Sequence, residues 1–433
     1  MSKYVYKLSD YRAVKEAEIT IDGITVLAGE NGTGKSTLSR WLYYIVKVLS
    51  EYEVLIDKEA IREMRSMLRR LERPDGYLGR RTTDQRHFFS EMRNVLDSDN
   101  DFTYKMKRMT EFVEMYVHIV SDKIEKEGLD ADYTRRLLTL FDMESESFAD
   151  ANEVVEAINE ELLDRIAKIQ DDVKQKKEER KSETFIDLLP ISSLDDADVC
   201  HVKVDFVEDG VALLDEEHFC PVLNLNQVVY YKTYELMDYM DYKSDFNSLL
   251  EKPIGKMSDQ EKLVHKLICQ TIGGNVTLHE DNFTLFGNNQ LYYKREDGLE
   301  FPLRQAATGI VSFSYLARLL ENGYLRKGTL LIIDEPEAHL HPRWIVEYAR
   351  ILVLLQKKLD VKIVLSTHNP DMVAAIDAIA RRENVLSKVN FYFAKPGTNA
   401  GIYQYVYERQ NSIGEIFNSF NIALTKIQAY GDE

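Results

Sequence analysis

The sequence predicts an α/β protein, a mixed sheet with flanking helices that is interrupted by a long helical insertion. Three observations carry this expectation. The apolar run "GITVLAG" leads into a glycine-rich loop, and a helical pattern follows at once from Lys35. The last third of the chain alternates helix-like and strand-like segments, as a largely parallel sheet with covering helices requires. From about Glu51 to Lys181 the texture changes to charged, proline-poor sequence with apolar residues at helical spacing.

The elements follow in order. "YVYKL" and "EAEITID" alternate apolar and polar residues like half-buried strands, and "GITVLAG" reads as a fully buried one. The insertion contains "AIREMRSMLRRLE", "MKRMTEFVEMYVHIVSDKI" and "EVVEAINEELLDRIAKIQDDVKQKKEERK". The last of these reads as a short amphipathic antiparallel arm, without the sustained heptads of a long coiled coil. "GRRTTD" and "SDNDF" are expected breaks. Strand character returns at "VCHVKVDFVEDGVALLDEE", with "EDG" as a hairpin turn, and "NQVVYYKTY" is a further strand. Residues 245 to 272 read as helix, and "NVTLHEDNFTLFGNNQLYYKREDGLEFPL" as hairpins. The alternating close comprises "SFSYLARLLENG", "GTLLIIDE", "RWIVEYARILVLLQKKL", "VKIVLSTHN", "PDMVAAIDAIARR" and "KVNFYFAK". The expected organisation is therefore 1–50, a helical insertion 51–198, and 199–433.

The chain has 433 residues, of which 44% are apolar, enough for a sizeable core. No stretch has the roughly 18 uncharged apolar residues of a membrane span, and the N-terminus lacks a signal-peptide core. Cys200, Cys220 and Cys269 are widely spaced, which fits a reducing cytoplasm and disfavours disulfides or a zinc knuckle. A net charge of −18 repels phosphate backbones in general. The sign reverses locally at Arg62, Arg65, Arg69, Arg70, Arg73, Arg80, Arg81, Arg86 and Arg93. That cluster is either a nucleic-acid patch or a solvated helix face paired with Glu63, Glu72, Asp75 and Asp84.

The chemistry is concentrated in four segments. "LAGENGTGKSTLSRWL" satisfies G-x-x-x-x-G-K-[ST] at Gly29, Gly34, Lys35 and Ser36. Gly32 and Gly34 allow the loop of Asn31, Gly32, Thr33 and Gly34 to turn its N–H groups toward phosphate oxygens. The helix starting at Lys35, Ser36 and Thr37 adds its positive end. Lys35 neutralises the β- and γ-phosphates in this reading, and Ser36 offers its hydroxyl to Mg²⁺. "GTLLIIDEPEAHLHP" ends a buried strand in Asp334 and Glu335, two carboxylates that burial makes costly without a cation or hydrogen bonds. Asp334 is expected to reach Mg²⁺, and Glu335 to orient and polarise an attacking water. "VKIVLSTHNPDMV" places His368 after another apolar strand, within reach of a γ-phosphate. "RQAATGIVSFSYLARLL" places Thr308 and Gly309 just before a helix, as an N-cap would sit.

In this order the four segments resemble an ATP-binding-cassette ATPase head, of the soluble clade that includes the structural-maintenance-of-chromosomes, RecF and OLD-like proteins. "DEPEAHLHP" and "ATGIVSF" are similar to bacterial AAA family ATPases of the OLD and Septu type, many of them in phage-defence loci. The likeness covers residues 1 to 50 and about 200 to 433. It implies ATP and Mg²⁺ as cofactors and a homodimer with two ATPs sandwiched between two heads. One head supplies Lys35, Ser36, Asp334, Glu335 and His368. The other supplies Ala307, Thr308 and Gly309, with Ala338, His339 and His341.

Some positions depart from the family pattern. Ala307 stands where the signature has serine, and Thr308 where it has its first glycine, so a hydroxyl contact to the γ-phosphate is either lost or supplied by Thr308. His341 stands where transporter-type cassettes have aspartate. Gln227 begins its strand, whereas the family's glutamine ends one, and here Lys232 and Thr233 occupy that end. Slow turnover is expected. The roughly 65 residues after His368 are too few for an appended nuclease domain. The expected role is a cytoplasmic ATPase switch, the sensor or scaffold of an anti-phage system controlling a separate effector such as a nuclease or toxin. The alternative is a repair or chromosome-maintenance ATPase that clamps DNA.

Overall fold

The structure, a computed structural model, describes residues 2–77, 83–128, 132–141, 143, 148–189, 203–215, 217–232, 241–280, 289–397, 404–418 and 430. It divides into two compact units, one of residues 1–50 with 185–433 and one of residues 51–184.

In the first unit the described strands include β1 (Tyr4–Tyr11), β2 (Val14–Ile21) and β3 (Ile24–Ala28), followed by helix α1 (Lys35–Tyr77), which begins there. The chain returns with α6 (Ser182–Leu188), β4 (Lys203–Glu208), β5 (Val211–Ala212) and β6 (Gln227–Lys232). Residues 245–272, read as one helical stretch, form two helices, α7 (Asp241–Glu251) and α8 (Asp259–Ile272). Pro253 lies in the break, and Ser258 restarts the helix with a capping box closed by Glu261. A three-stranded antiparallel meander follows, β7 (Gly274–Glu280), β8 (Asn289–Arg295) and β9 (Glu300–Pro302). The close is α9 (Thr308–Glu321), β10 (Thr329–Asp334), α10 (Pro342–Leu359), β11 (Lys362–Thr367), α11 (Pro370–Arg382), β12 (Val389–Pro396) and β13 (Tyr405–Gln410).

Among the described residues, ten strands form one mixed sheet in the order β5-β4-β1-β2-β13-β12-β3-β11-β10-β6. One side, β5-β4-β1-β2, is antiparallel. The other, β12-β3-β11-β10-β6, is parallel throughout. Every residue of β3, β10 and β11 is buried, which explains why these strands read as continuous apolar runs. Their cover is α8, α9, α10 and α11, in a core that includes Phe313, Leu316, Tyr348, Leu352, Val373 and Ile376. Each fully buried Leu or Ile there contributes about 1.5–3 kcal/mol by leaving water. Parallel pairing brings the C-terminal ends of β3, β11, β10 and β6 to one edge of the sheet. That edge holds all the loops singled out by their chemistry except the one before α9.

The second unit is helical, with the rest of α1, α2 (Thr83–Asp97), α3 (Phe102–Glu127), α4 (Asp132–Leu140) and α5 (Ala151–Glu179). The stripe Val154, Ile158, Leu162, Ile166, Ile169 and Val173 buries one face of α5, which packs on α3. Tyr52, Asp57 and Glu53 of α1 bond to Lys176, Lys177 and Arg180, so these two segments run antiparallel. The unit ends at Thr184, short of residue 198, because Phe185 already belongs to the first unit. Within the arginine cluster, Arg65 pairs with Asp97 at 2.6 Å and Arg93 with Glu72 at 3.0 Å, while Arg62, Arg69 and Arg70 are exposed. Arg80, Arg81, Cys200 and Thr233 lie outside the described residues, as do the side chains of Arg73 and Arg86 and most of "IGEIFNSFNIALTKIQAY", whose pattern reads as a closing helix. Among the described residues no helix is long and apolar enough to cross a membrane.

Candidate nucleotide site

The loop from Gly29 to Gly34 links the buried end of β3 to the first turn of α1. Gly32 and Gly34 have φ of 82° and 92°, which side-chain-bearing residues rarely adopt. Gly34 is doubly constrained, because a Cβ there would meet Val14 Cγ2 at 2.7 Å. The Thr33 hydroxyl donates to the Glu30 carbonyl at 2.9 Å, and Tyr407 of β13 donates to the Thr33 carbonyl at 3.1 Å. Thr33 therefore braces the loop from behind. Lys35 is buried, and its ammonium donates to the carbonyls of Gly29 at 2.9 Å and Glu30 at 2.7 Å. Burial pulls the Lys35 pKa down, against the pull of Glu335 and Asp334.

Asp334 ends β10 with no exposed surface, and neither of its carboxylate oxygens has a hydrogen-bond partner. The Ser36 hydroxyl stands near enough to favour the charged form without making a hydrogen bond of proper geometry, and Lys232 Nζ lies 4.0 Å away. Burial nevertheless wins and raises the Asp334 pKa. An orphaned buried carboxylate beside a serine hydroxyl suits a hard cation. Among the described residues no group of three or more His, Cys, Asp or Glu is placed to hold a metal ion. Mg²⁺ takes one or two protein oxygens and leaves the rest to phosphate and water, a demand that Ser36 and Asp334 can meet.

Glu335 follows with φ of 50°, in the left-handed region, a strain of order 1–3 kcal/mol. It is held by its N–H, which donates to the Ser366 carbonyl at 2.9 Å, and by its carbonyl, which accepts from Ala338 at 3.1 Å. His368 Nδ1 lies 3.4 Å from Glu335 Oε1 and 3.8 Å from Glu337 Oε1, ion-pair distances without hydrogen-bond angles. The Glu335 carboxylate is the main cause of a raised His368 pKa. Glu337 was not singled out in the sequence. It is buried and accepts from the Thr367 hydroxyl at 2.5 Å and the His368 N–H at 3.1 Å, and its pKa is raised by burial. It thereby fixes the end of β11 from which His368 projects. The signal was present in the third carboxylate of "DEPE", two residues beyond Glu335.

Asn31, Gly32, Gly34, Lys35, Ser36, Thr37, Glu335 and His368 line one cleft of about 450 Å³. Arg12, Ala13 and Lys232 complete it. Arg12 and Ala13, in the β1–β2 turn, are additions that the sequence reading did not make. Ala307, Thr308 and Gly309 are not in this cleft. They open α9, and the expected capping arrangement is corrected here. Ala307 is the N-cap, with no side-chain cap bond, and Thr308 is already helical. The Thr308 hydroxyl donates instead to the His339 carbonyl at 3.1 Å. Gly309 permits close packing on α10, since a Cβ there would meet Trp344 Cε3 at 2.7 Å. His341 caps α10, accepting from the Arg343 N–H at 3.3 Å.

These motifs stand on adjacent parallel strands and in this order, an arrangement that resembles a P-loop nucleotide-binding fold. Residues 223–374 match the family described as "AAA domain, putative AbiEii toxin, Type IV TA system". Two curated relatives are the energy-coupling factor transporter ATP-binding proteins EcfA2 and EcfA3 of Clostridium perfringens. Each is 34% identical over 100 residues, which cover 23% of this chain and 34% of the relative. The chain thus spans about a third of the length of these relatives. Similar solved structures include the Smc head domain with an extended coiled coil from Pyrococcus furiosus, bound to the C-terminal domain of ScpA. It is 11% identical with a TM-score of 0.35, covering 99% of this chain and 100% of that one. An SmcHead bound to the C-winged helix domain of ScpA is 9% identical with a TM-score of 0.36, covering 94% and 96%.

Proposed function

We propose that this chain binds and hydrolyses ATP and that two copies close on two nucleotides, so that occupancy sets the state of a switch. The observation that carries this reading is the orphaned Asp334 carboxylate, buried beside Ser36 and next to the loop that holds Lys35. Ser36 and Asp334 would hold Mg²⁺, which when bound would neutralise charge on the β- and γ-phosphoryl oxygens. Lys35 exchanges its two carbonyl partners for phosphate oxygens. Gly32, Thr33 and Gly34 supply loop N–H groups, with those of Lys35, Ser36 and Thr37 at the helix start. Glu335 orients the attacking water and accepts its proton, and His368 steadies the Glu335 carboxylate and faces the γ-phosphate.

The second half of each site comes from the other copy. Ala307, Thr308 and Gly309 lie outside their own cleft, at a helix start that no side chain caps. In the closed dimer those N–H groups face the partner's γ-phosphate, joined by the segment of Ala338, His339 and His341. The Thr308 hydroxyl is donated inward to His339, so α9 offers backbone donors where the family has a serine hydroxyl. Slow turnover accords with that loss.

We assign the switch to a cytoplasmic anti-phage system with a separate nuclease or toxin as effector. The toxin–antitoxin description of the family matching residues 223–374 supports this. The competing reading, a repair or chromosome ATPase that clamps DNA, draws on exposed Arg62, Arg69 and Arg70. DNA binding that weakens steeply with salt and disappears when these arginines are replaced would favour it. The dimer itself is tested by light scattering of Glu335→Gln, which should double in mass on adding Mg·ATP. An unchanged mass with ATP bound removes the dimer from the account.

A further inference from the structure

Lys232 is the last residue of β6 and pairs in register with Asp334 of β10. Register partners on neighbouring parallel strands point to the same side of the sheet. Tyr230, two residues earlier and on that side, meets Tyr43 of α1 at 5.5 Å between ring centroids. Lys232 therefore faces the α1 side, where the phosphate loop lies. Its ammonium is 4.0 Å from Asp334 Oδ2, its side chain is only 9% exposed, and it lines the nucleotide cleft. Lys35 is buried in the same cleft, where its ammonium donates to the carbonyls of Gly29 and Glu30.

We propose that Lys232 is a tethered counter-cation of this site. In the ligand-free protein it offsets the charge of Asp334. When Asp334 is engaged by a metal ion, the Lys232 ammonium serves the triphosphate instead. A neutral side chain at this position could do neither. The inference rests on the nucleotide reading above and adds a specific consequence. Part of the positive charge that ATP needs is built into the chain, so ATP binding depends less on the metal than it otherwise would. Lys232 is a nucleotide-binding residue in this scheme, and its effect is on binding rather than on bond cleavage.

The test is calorimetric titration of ATP into the full chain, with Mg²⁺ and with excess EDTA, for the parent, Lys232→Gln and Lys232→Arg. Thermal melting of each ligand-free protein checks folding. The parent should lose modest affinity in EDTA, and Lys232→Gln should lose about tenfold more than the parent does. Lys232→Arg should restore the parental ratio, because it keeps the charge. Equal EDTA-to-Mg²⁺ ratios in parent and Lys232→Gln, with normal ATP binding in Mg²⁺, would overturn this inference alone. A parent that binds no ATP in Mg²⁺ would overturn the nucleotide reading and this inference with it.

Discussion

Glu335 and His368 meet at 3.4 Å across the ends of two adjacent parallel strands, β10 and β11. The carboxylate favours the imidazolium and raises the His368 pKa, with Glu337 adding to the effect and partial burial opposing it. A raised folded-state value means that the pair's stabilisation is complete below the unfolded value, about 6.5, and is lost as pH rises through the folded one. Titration of the His368 ring by NMR in the ligand-free protein should give a value above the usual range for histidine. In Glu335→Gln that value should fall. An unchanged titration would show that the two side chains do not interact.

Glu335→Gln should also separate binding from chemistry. The amide keeps the shape of the site but cannot take a proton from water. Hydrolysis should fall by about 10²- to 10⁴-fold while ATP affinity stays near the parental value. Steady-state phosphate release and calorimetry together measure the two effects, and a parental rate would remove the role assigned to Glu335.

Glu337 makes a prediction of opposite sign for two substitutions. Its pKa is raised by burial, so its native-state contribution is greatest when it is protonated and is lost as pH rises through the folded value. Glu337→Gln imitates the protonated form and keeps an acceptor for Thr367 and the His368 N–H. It should match or exceed parental stability at pH 7, with the difference shrinking in acid. Glu337→Ala leaves both donors unpaired and should cost about 1–3 kcal/mol. Denaturant melts at two pH values decide the matter, and equal losses in both variants would contradict it.

Gly309 tests the helix that opens with the signature segment. A methyl group there collides with the ring of Trp344, so α9 must shift away from α10 or the indole must move. Gly309→Ala should lower stability by about 1–3 kcal/mol and weaken the ATP-dependent dimer more than it weakens ATP binding. Parental melting and dimerisation together would mean that this close packing has no consequence.

What the sequence revealed, and what it hid, follow from the range of the interactions. β3, β10 and β11 were legible because burial on both faces leaves unbroken apolar runs. The glycine-rich loop was legible because Gly32 and Gly34 need backbone conformations that few other residues tolerate. The parallel pairing of β2 with β13 joins segments almost a whole chain apart, and local pattern holds no trace of it. Arg12 reaches the cleft from an ordinary-looking turn, and the approach of Lys232 to Asp334 depends on β6 lying beside β10, which local pattern does not encode. Thr308 looked like a helix cap by residue type, but the His339 carbonyl, thirty-one residues on, takes its hydroxyl instead. The insertion was legible as helix from its period, although its end at Thr184 depended on where Phe185 packs.

The central claim is that Lys35 and the loop from Gly29 to Gly34 bind the phosphates of ATP. Calorimetric titration of Mg·ATP into the parent and Lys35→Ala tests it most directly. The account predicts saturable binding by the parent and a loss of at least about tenfold in affinity in the variant, with the fold intact by circular dichroism. Equal affinity in the two proteins would contradict it.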